Sequence, residues 1–101
     1  MDATEILLNI AVNLGRIGRW ATEKKHSRIE QFFSDTDWYV EKLAEAKKSS
    51  EIIPTLNFFE KNYARLKKNK SRNDAWAEEA FTLSNILIHR AKIARPHSKI
   101  D

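Results

Sequence analysis

The sequence predicts an all-α domain, an antiparallel up-down-up-down four-helix bundle that works as a homodimer, and three observations carry this. First, the stretch from Asn73 to Ala94 joins a helix start to a sustained apolar stripe. Trp76, Ala80, Leu83 and Leu87 recur at alternating four- and three-residue spacing, and Ala94 returns to that face about two turns later. Second, only two glycines and two prolines interrupt 101 residues, whereas a β fold needs a turn about every 8 to 12 residues. Third, the apolar fraction of 42% matches ordinary globular chains and argues against general disorder. Helices of matched length joined by short turns force antiparallel neighbours. The rival architecture is a pair of long helical hairpins that completes its core only by dimerising.

Taken in order, Asp2 and Glu5 form a capping-box pattern that starts a first helix at Ala3 and carries it to about residue 24. Its stripe is Ala3, Leu7, Ile10, Leu14, Ile17 and Ala21. Gly15 and Gly18 each cost about 1 kcal/mol relative to alanine in a helix interior. With Ala11 they fall on one side of the helix, so either another backbone approaches closely there or the helix bends. Ser27 with Glu30 repeats the capping-box pattern, for a helix over about residues 28–48 with the stripe Ile29, Phe33, Thr36, Val40 and Leu43. The run from Ser34 to Asp37 offers a competing cap, for a helix that would begin at Trp38 and bury it. Ser49 and Ser50, with Pro54 in the first turn, start a third helix over about residues 51–69, striped by Ile52, Leu56, Phe59, Tyr63 and Leu66. Asn73 or Asp74 caps the fourth, over about residues 74–94, with Arg90, Lys92 and Arg95 complementing the dipole at its end. Pro96 stops it, and residues 96–101 read as a flexible tail.

Three surfaces are left over once the seams are assigned. Leu8, Val12, Ile86 and Ile93 are apolar residues beyond what one seam per helix uses, and they predict a dimer face. Trp38 and Phe58 lie off their seams at a similar height and form a candidate patch for a protein partner, or for a stacked base. Arg16, Arg19, Lys24, Lys25, Arg28, Lys67, Lys68, Lys70 and Arg72 collect, with Arg65, at one end of the bundle. Such a basic pole offers phosphate contacts for nucleic acid, although basic residues at helix ends also serve the dipole and keep turns hydrated.

The chemistry of catalysis is not visible. There is no glycine-rich phosphate loop, serine elbow or cysteine nucleophile. A di-metal bundle needs two Glu-x-x-His pairs with inward carboxylates, and the chain has one such pair, Glu23 and His26, in a polar turn. His89 falls beside the fourth seam and is expected to be partly buried and satisfied rather than a ligand. Arg19 to His26 and Arg90 to His97 each place six residues between Arg and His. That spacing resembles the Arg-His motif of the HEPN family of helical RNases, over those residues only, and would imply action on RNA at a dimer cleft. Pro96 interrupts the second pair and departs from the pattern.

With no cysteine, a formal charge of +4 and no apolar run long enough to span a membrane, the chain reads as cytoplasmic and soluble. The expectation is a small non-enzymatic interaction module or regulator acting through protein–protein contacts, without metal or cofactor. Nucleic-acid binding at the basic pole is the alternative.

Overall fold

The computed structural model describes residues 1–94, which form four helices and no strand. They are α1 (Ala3–Thr22), α2 (His26–Glu45), α3 (Ile53–Lys68) and α4 (Asp74–Ala94). The burial of Ala94, Arg95, the stop at Pro96 and the tail 96–101 lie outside the described residues. A radius of gyration of 13.8 Å is close to the ~13 Å of a compact domain this long.

Local chemistry sets most of the boundaries. Asp2 Oδ1 accepts the Glu5 amide at 2.8 Å, and Glu5 Oε1 accepts the Asp2 amide at 3.1 Å, which closes the capping box. At the other end of α1, Lys24 turns into the left-handed region at φ 63°. Its amide then reaches Ala21 O at 3.1 Å and the Lys25 amide reaches Trp20 O at 2.8 Å, a Schellman closure built on lysine instead of glycine. The capping box expected at Ser27 and Glu30 does not form. Helix α2 starts two residues earlier, at His26, with Lys25 at its N-cap and no side-chain cap, so Ser27 lies within the first turn, and the Glu30 carboxylate accepts instead from Arg72. Nor is there a break near residue 35. The Thr36 hydroxyl donates to Phe32 O at 2.6 Å within an unbroken helix, which satisfies a buried polar group locally and leaves Trp38 in mid-helix. Pro54 stands in the first turn of α3, and Asn73 Oδ1 caps α4 by accepting the Trp76 amide at 2.9 Å.

The expected stripes are the core. Every stripe residue of α1 and α3 is buried, and Val40 alone in α2 is only half-buried. Helix α1 packs most extensively on α4 and next on α2, while α3 sits on α4 over a smaller area. Aromatic rings pack between α3 and its neighbours: Phe33, Phe59, Tyr63 and Trp76 meet in stacked, tilted or edge-on pairs at centroid distances of 5.0–6.1 Å. The Trp76 indole donates to Leu66 O at 3.0 Å, so one bond satisfies a buried donor and one of the carbonyls left free at the end of α3.

The glycines explain the tight α1–α4 contact. A Cβ on Gly18 would lie 2.9 Å from Phe81 Cε1 and 3.1 Å from the Ala77 carbonyl oxygen, so the helices meet there with no room for a methyl group. One on Gly15 would meet only Ser84 Oγ, at 3.4 Å, and the Ser84 hydroxyl donates across the same interface to Ala11 O at 2.6 Å. The two positions therefore respond differently to alanine. Gly18→Ala is expected to lower stability by about 1–3 kcal/mol through overpacking. Gly15→Ala is expected to be neutral or to raise stability by up to about 1 kcal/mol through helix propensity. Urea unfolding of the two variants checks the pair, and equal effects would contradict the packing described.

Candidate interaction surface

One face of the α1–α2 pair alternates cations and rings. Arg16 precedes Trp20 by four residues on α1, and Arg28 precedes Phe32 by four on α2, so each helix carries an Arg and an aromatic side by side. Packing crosses them over. Arg16 Cζ stands 5.7 Å from the Phe32 centroid, while Arg28 Cζ and Lys25 Nζ stand 5.4 and 5.2 Å from the Trp20 ring. The two rings stack on each other at 6.3 Å with 22° between planes. Cations so placed are attracted to the negative ring faces, and Arg16 and Arg28 are held there without an ion pair among the described residues. The Trp20 Nε1 hydrogen is buried with no acceptor.

Further along this face Trp38 is 50% exposed, with Tyr39 edge-on at 5.1 Å and Lys42 Nζ 5.3 Å from its ring centre. It lines two shallow grooves of about 280 Å³ each, one with Asn13, Arg16, Phe32, Asp35 and Tyr39, the other with Met1, Ile6, Lys42, Glu45 and Ala46. Asn13 is only 6% exposed, yet its carboxamide makes no hydrogen bond among the described residues. Sequence reading passed over Asn13, Trp20, Phe32 and Tyr39, since all four lie off the assigned seams. The signal that finds the rings is the four-residue Arg–aromatic spacing repeated on consecutive helices.

The residues singled out from sequence are distributed over several surfaces. Phe58 does not share a groove with Trp38. It lies half-buried between α3 and α4, under Arg90 at 5.0 Å, in a cavity of about 200 Å³ that Ile86 also lines. Ile93, 65% exposed, lines a different groove with Glu51, Pro54, Thr55 and Arg90, and Ile53 in the first turn of α3 is 42% exposed. Leu8 is half-buried against the core and Val12 is exposed; neither lines these grooves. Of the Arg–His pairs, Arg19 is ion-paired to Glu23 at 3.4 Å, both it and His26 are exposed, and His97 is outside the described residues. His89 is exposed, contrary to expectation, because it lies on the outer side of α4. Among the described residues no three His, Asp or Glu side chains group as a metal site requires.

The basic pole is partly consumed by the fold. Arg72 is not a surface contact: it is 6% exposed, its guanidinium lies 4.5 Å from the Trp76 ring and 5.0 Å from Phe33, and Nη2 bonds Glu30 Oε2 at 3.2 Å. Burial lowers its proton affinity, opposed by the Glu30 carboxylate, but a guanidinium stays charged. Lys67 binds both oxygens of Asp37 at 2.9 Å, and the Tyr63 hydroxyl donates to Asp37 Oδ1 at 2.6 Å. Burial first, and then that hydrogen bond, push the Tyr63 hydroxyl far above the usual tyrosine range. Lys25 leans toward Glu23 at 3.8 Å, whereas Lys24, Lys68 and Lys70 are exposed and make no ion pair among the described residues.

Arg72→Ala keeps the strained backbone at φ 51° and removes only the side chain. It is expected to cost about 2–4 kcal/mol through lost cation–π and stem packing, read by thermal or urea unfolding. Lys68→Ala and Lys70→Ala, as exposed controls, should change stability by less than about 0.5 kcal/mol. No helix among the described residues is long and apolar enough to cross a membrane. Comparison of the chain with protein-family models, with curated proteins and with solved structures finds no match.

Proposed function

We propose that this chain is a small non-enzymatic interaction module or regulator of the cytoplasm: an antiparallel four-helix bundle, homodimeric, acting through protein–protein contacts. The antiparallel course is supported by the α1–α4 contacts, where Gly18 meets Ala77 and Phe81 while Ala11 meets Ser84. The non-enzymatic reading is supported by the duties of the two groups with shifted titration. Tyr63 and Arg72 both serve the core, one bonded to Asp37 and the other stacked on Trp76.

The observation that carries the dimer is the exposure of Ile53 and Ile93, bulky apolar residues at the start of α3 and the end of α4, with Ile93 lining a groove that Pro54 and Thr55 of α3 also line. Burying such a side chain is worth about 1.5–3 kcal/mol. A two-fold axis brings each residue to the interface twice. Leu8 and Ile86 contribute less than the sequence suggests because they are already half-covered within the chain.

Sedimentation velocity over about 5–500 µM, the range in which a modest apolar patch gives measurable association, tests this reading. The wild type is expected to pass from monomer to dimer, and Ile53→Asp with Ile93→Asp to remain monomeric with unchanged helicity. A monomer at every concentration, or a dimer indifferent to both substitutions, would contradict it.

A second reading, nucleic-acid binding, is favoured by the α1–α2 face more than by the pole. There Arg16 and Arg28 stand against aromatic rings and make no ion pair among the described residues, whereas Lys67 and Arg72 at the pole are committed to Asp37 and Glu30.

A further inference from the structure

We propose that the groove lined by Asn13, Arg16, Phe32, Asp35, Trp38 and Tyr39 is a binding site for one nucleotide of a single-stranded nucleic acid; this rests on the second reading above and gives it a location. Three observations converge. Asn13 lines the groove and its carboxamide has no hydrogen-bond partner among the described residues, so its amide donor and carbonyl acceptor are available to a ligand there. A base edge carries adjacent donors and acceptors that such a carboxamide can pair with. Trp38 offers a large flat surface held half in solvent, with Tyr39 packed edge-on to fix its orientation. Every base has a π-face that can stack on such a platform. Arg16 is held over Phe32 at the same groove and supplies a cation for the adjoining phosphate, with Lys25 and Arg28 continuing the line of charge past Trp20.

Size and charge narrow the ligand. At about 280 Å³ the groove is smaller than the 300–1,000 Å³ or so of pockets for drug-sized ligands, and it suits one planar ring system with its phosphate outside. Asp35 is the one carboxylate in the groove and accepts hydrogen bonds from exocyclic amines, while it disfavours a phosphate placed deep inside. Bases locked in a duplex cannot enter such a groove, so a single strand or a free nucleotide is the form it fits.

The test is fluorescence anisotropy with labelled single-stranded RNA and DNA of about 12 nucleotides, within the usual range of single-strand site sizes, at about 50 and 200 mM salt. A duplex and a mononucleotide serve as competitors. The proposal expects single strands to bind and the duplex to compete poorly. Trp38→Ala should weaken binding about tenfold or more and Trp38→Phe should restore most of it, as loss and recovery of base stacking require. Arg16→Gln should reduce the salt slope by about one contact. Asn13→Ala should weaken binding while leaving thermal stability close to that of the wild type, because the carboxamide makes no hydrogen bond within the chain; a purely structural asparagine would cost stability instead.

Strong competition by the mononucleotide would assign the same site to free nucleotides, and weak competition to a strand. If single strands bind but Trp38→Ala, Arg16→Gln and Asn13→Ala bind as the wild type does, while Lys68→Gln with Lys70→Gln abolishes binding, the groove is wrong and nucleic-acid binding at the pole survives. If no probe binds at 50 mM salt, both fail and the face is left to a protein partner.

Discussion

The close approach of α1 and α4 is the constraint on which the rest of the structure depends. It is set by a column of small residues, Ala11, Gly15 and Gly18, against Ala77, Phe81 and Ser84. Two glycines inside a helix are unfavourable for α1 alone, at about 1 kcal/mol each. They are offset by the dispersion gained when two backbones approach with no void between them, and the Ser84 bond to Ala11 O fixes the register. With one side of α1 committed to α4 and another to α2, α3 packs less intimately. Large rings fill the difference.

That aromatic filling explains where the positive charge goes. Arg72 is drawn between Phe33 and Trp76, and Lys67 to Asp37 and Tyr63, because planar rings and a half-buried carboxylate beside α3 offer better partners than water. These ties join α2 to α3 and to the α3–α4 turn, where backbone contact is sparse. The consequence for function is a division of the basic residues. Some of the cations near the α3–α4 turn hold the fold together, and Arg16, Lys25 and Arg28 of the α1–α2 face remain beside half-buried rings.

Most of the fold is legible in the sequence, because helical periodicity reports burial directly. The stripes of α1 and α3, the Asp2–Glu5 box and the small side of α1 all depend on residues close in sequence, and all appear in the structure. What was not legible depends on partners far along the chain. Ser27 and Glu30 have the spacing of a box, but Glu30 is claimed by Arg72 42 residues later. Arg72 and Lys67 look like solvated surface until the rings beside α3 are in place. Trp38 and Phe58, expected at a similar height along a bundle, line different grooves, since height does not fix rotation about a bundle axis. The α1–α2 groove was half legible: its cations and Trp38 stand out, but Asn13 gains meaning only once its burial and lack of a partner are known.

If the α1–α4 contact is the spine of the molecule, stability is graded across the helices. Native-state hydrogen exchange tests this directly, since locally opening units exchange with lower free energy than the globally protected core. Amides from Ile10 to Ile17 and from Ala80 to Leu87 should exchange only through global unfolding, while those in the middle of α3 should exchange earlier, through a smaller opening that releases α3 from α4. Protection of α3 equal to or greater than that of α1 and α4 would contradict the account and move the organising contact to the aromatic cluster.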